Sequence, residues 1–226
     1  MDGNGRWARS RGLPRLEGHR ASMQSIREAV EACNDIGVGF LTLYAFSTEN
    51  WSRPEDEVAA LMVLIDHSVR AQVPELQEKN VRVKHFGRRE GLPEALLHTL
   101  DESARKTASN TGLTLQLAIN YGGRQEIVDA AKALARDAAA GVLAPDAVTE
   151  EEFASRLYRP ETPDPDLLVR TGGDLRVSNY MLWEIAYAEI YVTLTLWPDF
   201  RKRHIYEALT DYQRRQRRFG GVEDTA

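Results

Sequence analysis

The chain has 226 residues, 42% hydrophobic and 28% charged, which is enough to bury a sizeable core in one domain and is ordinary for a soluble protein. Its net charge of -5 excludes a binding mode that depends on a broadly basic surface, so no nucleic-acid partner is expected. The single cysteine, Cys33, excludes a disulfide framework or cysteine-based metal cluster, and no run reaches the roughly 18 apolar residues of a spanning helix; a cytoplasmic location is the expectation.

The opening MDGNGRWA reads as an acid, a flexible Gly-Asn-Gly turn and an arginine. Gly3 and Gly5 are expected to take positive φ and turn N–H groups toward an anion. Arg6 adds planar donors for phosphate oxygens, and Asp2 is a hard oxygen ligand suited to Mg²⁺. Met23, Ile26, Val30 and Cys33 then recur at helical spacing as far as Gly37, and FLTLYAF at 40–46 reads as a buried strand. A long helix is predicted over 54–80, because Pro54 and the acids Glu55, Asp56 and Glu57 suit a first turn. Its apolar stripe runs through Val58, Leu61, Met62, Leu64, Ile65, Val69, Val73 and Leu76, with Pro74 expected to kink or end it. Strands at 81–86 and 113–119 flank a helix over 93–108, and another helix covers 123–141. Thr149 and Glu152 form a capping box for a short helix, 160–166 is a stiff loop, and 167–169 is a further strand. The alternation predicts one α/β domain over 1–226, with a mostly parallel, doubly wound sheet flanked by helices.

In such sheets ligands sit beyond the carboxyl ends of the strands. The residues there are STENWSR at 47–53, NYGGR at 120–124 and RTGGDLRVSN at 170–179, rich in amide, hydroxyl and guanidinium donors. Arg170, Arg176 and Ser178 around two glycines suggest a second polyanion site, hence two phosphorylated substrates.

MDGNGRWA, Gly18-His19, YAFSTENWSRP, NYGGR, RTGGDLRVSN and LWPDF occur in that order, and through them the chain resembles the cis-prenyltransferases, the family of bacterial undecaprenyl diphosphate synthase. The resemblance covers nearly the whole chain. It implies Mg²⁺-dependent condensation of isopentenyl diphosphate onto an allylic diphosphate such as farnesyl or geranyl diphosphate, forming Z double bonds, without a redox cofactor, for a cell-wall lipid carrier. It implies that Asp2, with Mg²⁺, promotes loss of the allylic diphosphate and that Asn50 lies near the reacting carbons. Gly3, Asn4, Gly5, Arg6, Arg15 and His19 correspond to the allylic diphosphate site, with Trp7, Ser47, Glu49, Trp51 and Arg53 near the same substrate. Arg170, Arg176 and Ser178 correspond to the isopentenyl diphosphate site, and Glu189 to a second Mg²⁺ ligand. Arg218 and Gly220, in the C-terminal segment 214–226, are implied to reach the partner's isopentenyl diphosphate across a homodimer.

The helix 54–80 carries more apolar surface than a sheet needs, which fits a hydrophobic tunnel for a growing tail, and the resemblance implies that Leu113 and Ile119 lie near its floor. Membrane contact through the lipid product would be peripheral. Three residues depart from the usual family wording: Asp174 for glutamate, Tyr180 for phenylalanine and Glu184 for glutamine. The apolar strand that precedes the opening motif in the family is missing here, so the chain is expected to be truncated and Asp2 to lack backbone support. The alternatives are a short-chain Z-prenyl synthase and a non-catalytic partner subunit; retention of Asp2, Asn50, Arg170, Arg176 and Glu189 argues against the latter. Primer preference and product length stay open.

Overall fold

The computed structural model describes residues 1–216. In chain order the elements are α1 (Asn4–Arg9), α2 (Arg15–Asp35), β1 (Phe40–Ser47), α3 (Glu55–Glu78), β2 (Arg82–Phe86), α4 (Glu94–Lys106), β3 (Thr114–Tyr121), α5 (Gly123–Ala139), α6 (Glu150–Ala154), β4 (Leu167–Arg170), β5 (Glu189–Val192) and α7 (Lys202–Gln213). Contacts divide the chain into two compact units interleaved in sequence: Cys33–Pro163 with Val177–Trp183, and Asp2–Ala32 with Asp164–Arg176 and the residues from Glu184 onward.

The first unit holds a parallel sheet in the order β1-β3-β2, with Leu43 opposite Leu117 and Val83 opposite Leu115. Every residue of β3 is buried, as a central strand covered on both faces must be. That strand carries the polar Gln116 into the core, where it is satisfied: it accepts from Thr42 Oγ1 at 2.9 Å and donates to Thr162 Oγ1 at 2.7 Å. Pro54 and three acids open α3 as predicted, and the helix reaches Glu78, close to the expected 80, so Pro74 does not end it. One missing N–H did not outweigh the packing of Val73 and Leu76, both at 7% exposure. From α4, Leu96 and Leu100 face the core at 1% and 2% exposure, each burial contributing about 1.5–3 kcal/mol. Cys33 is buried, and burial pushes its thiol up to about 12, so it behaves as core.

The second unit holds a separate parallel pair, β4 beside β5, with Leu168 opposite Ile190. The predicted parallel α/β pairing is thus present, with the strands shared between two sheets. Two elements of this unit, β5 and α7, have no counterpart in the sequence reading. Only four residues long, β5 is too short for a periodicity, and α7 rests on few apolar side chains, with Ile205, Ala208 and the ring of His204 buried. The opening motif also differs: Gly3, at φ 109, caps a short helix that begins at Asn4. Gly5 lies inside that helix and does not take positive φ.

Candidate functional site

The candidate residues form one cluster in each unit. In the second unit the centre is Asp2. Its backbone is held on both sides by Thr171, whose hydroxyl accepts from Asp2 N and donates to Asp2 O, each at 2.9 Å, while Trp197 N donates to the same carbonyl at 2.9 Å. The expectation that this backbone lacks support is therefore corrected: the loop after β4 and the turn Trp197–Asp199 anchor it. The Asp2 carboxylate receives Arg170 Nη2 at 3.0 Å and Gly3 N at 2.7 Å, with Arg6 Nη2 at 3.5 Å. Partial burial raises its pKa, but the Arg170 hydrogen bond, the Gly3 N–H and the two guanidinium charges outweigh this and hold the carboxyl below its usual value. The Gly3 N–H is thus turned onto this carboxylate rather than outward.

Arg6 also donates to Gly172 O at 2.6 Å and pairs with Asp174 at 3.4 Å; Arg176 pairs with the same Asp174 oxygen at 2.8 Å. Asp174, one of the three departures from the family wording, therefore sets the aim of two arginines from opposite ends of the sequence. Arg170 donates further to the Arg176 carbonyl, so the three guanidiniums gather around two carboxylates. Gly172 is required here: at φ 84 it is left-handed, and a Cβ would lie 2.4 Å from Arg6 Nη2. Gly18 is required for another reason, since a Cβ there would lie 2.0 Å from the Asn4 carbonyl oxygen, where α2 crosses the backbone of α1. Arg15 opens α2 and lies against Gly5, and His19 follows one turn later. Trp7 is committed to packing: its Nε1 donates to Asp199 at 2.8 Å and Arg11 stacks over its ring at 4.1 Å. Glu189, first residue of β5, is paired with Arg215 at 2.8 Å, and Arg215 also holds Asp211. Arg215 thus ties this end of the basic run to β5 and α7, and Arg218 and Gly220 lie outside the described residues.

In the first unit, the residues after β1 form a 3₁₀ turn, Thr48–Ser52. Ser47 N donates to Asn50 Oδ1 at 3.1 Å, which fixes the orientation of the amide. Trp51 Nε1 donates to Asn120 Oδ1 at 2.7 Å, and its ring meets Phe46 edge-on at 5.1 Å, which makes Phe46 core packing at 1% exposure. Arg53 pairs with Glu57 at 3.2 Å. Ser178 falls in this unit, beside the turn after β3, rather than in the unit of Arg170 and Arg176. Tyr180 stacks on Tyr44 at 4.4 Å. Glu184, in the other unit, is 3% exposed, so the third departure puts a carboxyl group in the interior. Sequence reading missed Thr171, Asn120 and Asn179, which hold site residues without resembling ligands; their presence inside RTGGDLRVSN and NYGGR was the available signal.

A cavity of about 550 Å³ opens beside Trp51, walled by Val58, Ala59 and Met62 of α3 and Ala95 and Leu96 of α4, with Arg53, Glu55 and Asp66 also lining it. Leu113 and Ile119 do not line it and are core residues, at 2% and 0% exposure. Leu64, Ile65 and Val69 of the α3 stripe are half-buried.

Asp2 fits a hard divalent cation, being ionised at neutral pH and 37% exposed at its side chain. Among the described residues no group of three or more His, Cys, Asp or Glu converges. No helix of the described residues is long and apolar enough to cross a membrane.

The sequence model of the family described as "Putative undecaprenyl diphosphate synthase" matches residues 1–220. The isoprenyl transferase of Heliobacterium mobile is 51% identical over 223 residues, covering 99% of this chain and 86% of that protein. The trans,polycis-polyprenyl diphosphate synthase ((2Z,6E)-farnesyl diphosphate specific) of Thermobifida fusca is 50% identical, covering 99% of this chain and 79% of its own length. Among solved structures, lavandulyl diphosphate synthase from Lavandula x intermedia, in complex with dimethylallyl diphosphate, superposes with a TM-score of 0.94 at 34% identity, covering 97% of this chain and 95% of that one.

Proposed function

The chain belongs to the undecaprenyl diphosphate synthase family and is a prenyltransferase, and from that premise we propose that it condenses isopentenyl diphosphate onto an allylic diphosphate with Mg²⁺, repeatedly and with Z geometry. The observation that carries this reading is the Asp2 cluster: an ionised carboxylate shared by Arg170 and Arg6, with Arg176 aimed through Asp174. Such a set accepts diphosphate oxygens on the guanidiniums while keeping a carboxylate for the metal.

In each condensation a bond forms between C4 of isopentenyl diphosphate and C1 of the allylic substrate; the C1–O bond breaks, diphosphate leaves with the electron pair, and a proton leaves C2 of the isopentenyl unit. When bound, Mg²⁺ neutralises charge developing on the leaving diphosphate. Arg6, with Arg15 and His19, holds the allylic diphosphate, and preorganised positive charge at that point favours its departure. Arg170, Arg176 and Ser178 hold the isopentenyl diphosphate, completed by Arg218 and Gly220 from the partner in a homodimer. Glu189 joins Asp2 at the metal, and Asn50 serves the reacting carbons. The hydrocarbon tail extends along half-buried Leu64, Ile65 and Val69 of α3, which favours several condensations over one. The product is a lipid-carrier precursor made in the cytoplasm that meets the membrane through its own tail.

The test is transfer of radiolabelled isopentenyl diphosphate to farnesyl or dimethylallyl diphosphate, with Mg²⁺ or with EDTA, resolved by reverse-phase chromatography. The expected outcome is a ladder ending several C5 units above the primer and abolished by EDTA. A single added unit would establish the short-chain synthase instead, and no transfer with any primer would favour the partner-subunit alternative.

A further inference from the structure

Between Ser178 and Met181 the backbone is left-handed at three residues that are not glycine: Ser178 at φ 50, Asn179 at φ 59 and Met181 at φ 46. Such a run persists only where its surroundings over-determine it. The side chain of Asn179 supplies most of that determination. Its Oδ1 accepts from Arg124 N at 2.8 Å and its main-chain carbonyl accepts from Gly123 N at 2.7 Å, fastening the segment to the start of α5. Its Nδ2 donates to Glu49 Oε1 at 2.6 Å and to Gln125 Oε1 at 3.1 Å. A second anchor follows at once, where Met181 N donates to Tyr121 Oη at 3.1 Å and the Tyr180 ring lies on Tyr44.

Glu49 belongs to the 3₁₀ turn that carries Asn50 and Trp51. One amide therefore joins the segment bearing Ser178, the turn after β3 and the turn bearing Asn50. Its two ends are not interchangeable: the acceptor end meets a backbone N–H and the donor end meets a carboxylate. Burial raises the pKa of Glu49, yet hydrogen bonds, that from Asn179 first, hold its carboxyl below the usual value, so the carboxylate is charged at neutral pH. This also recasts Glu49, whose negative charge is ill suited to a diphosphate, as an anchoring group.

We propose that Asn179 is a positioning residue for prenyl transfer, holding Ser178 and Asn50 at their working separation by clamping Glu49 to the turn after β3. The proposal rests on the prenyltransferase reading given above. Asn179 itself touches no reacting atom.

The test uses the full chain and three variants, with kcat and KM for both diphosphates measured across pH. Asn179→Asp sets a second carboxylate against Glu49, so kcat falls, by roughly 10- to 100-fold at neutral pH, the range in which small misplacements act. The loss shrinks toward acidic pH, where a shared proton restores a donor. In Asn179→Asp combined with Glu49→Gln, amide and carboxylate trade places, and kcat rises about tenfold above that of Asn179→Asp alone at neutral pH. Asn179→Gly accepts the left-handed φ without strain while deleting the clamp; it folds, and kcat falls without the acid recovery. Hydrogen exchange in the 47–53 segment quickens in Asn179→Asp and Asn179→Gly and slows again in the exchanged pair.

Wild-type kinetics in Asn179→Gly would overturn the proposal, as would an exchanged pair no better than Asn179→Asp. A wild-type chain that transfers no isopentenyl unit would sink the reading beneath it, whereas active wild type with unaffected variants would sink the positioning role alone.

Discussion

At the scale of single residues the outcome turns on Asp2, because one carboxylate is paired with Arg170 and is also the proposed metal ligand. Its folded pKa lies below the ordinary value of 3.8, so its pairing contributes stability that is fully present above about pH 4 and is lost as pH falls through the lower, folded value. Asp2→Asn should therefore unfold at a lower temperature than wild type at neutral pH, and the difference should narrow as the buffer is taken below about pH 4. The side chain is 37% exposed, so solvent screens the pair and the stability effect is small. The kinetic effect is larger. An amide keeps the shape and can still meet Gly3 N, yet it removes the charge proposed to hold the cation, and kcat should fall by roughly 10²–10³-fold. Between about pH 5 and 8 the wild-type profile should show no acid limb from Asp2, since the group is already ionised throughout that range.

At the scale of elements, what the sequence disclosed and what it hid follow from different physics. The loops after β1, β3 and β4 were legible because glycine, amide and guanidinium residues advertise turns and anion chemistry locally. The supports of Asp2 were not, because Thr171 lies 169 residues away along the chain and its hydroxyl acts only through tertiary contact. The same holds for Asn179 and Glu49, separated by 130 residues. The helical start at Asn4 was masked by two glycines that read as a turn. The cavity toward α4 takes no wall from the sheet and includes Arg53, Glu55 and Asp66, whereas Leu64, Ile65 and Val69 of α3 are half-buried and do not line it. Leu64→Trp or Ile65→Trp should shorten the final product by one or more C5 units on reverse-phase analysis. Ala59→Trp, on an exposed position of the cavity wall, should leave product length unchanged.

At the scale of the whole molecule, the second diphosphate site is proposed to be shared, with Arg218 of each subunit completing the site of its partner. Asp2 acts within its own subunit on this scheme, so variants of the two residues can be made to complement one another. Asp2→Ala and Arg218→Ala should each be nearly inactive as homodimers. If the two are mixed in equal amounts and subunits exchange freely, half of the dimers are hybrids, and each hybrid has one site containing an intact Asp2 together with an intact Arg218 from the neighbour. The mixture should therefore regain about one quarter of wild-type activity, appearing at the rate of subunit exchange. A closed, two-fold assembly gives that fraction; an arginine acting in its own subunit gives no recovery at any mixing ratio. Sedimentation of the same mixture would tie the recovered rate to the dimer, because dilution below the dissociation range should abolish activity in the hybrid and in wild type alike.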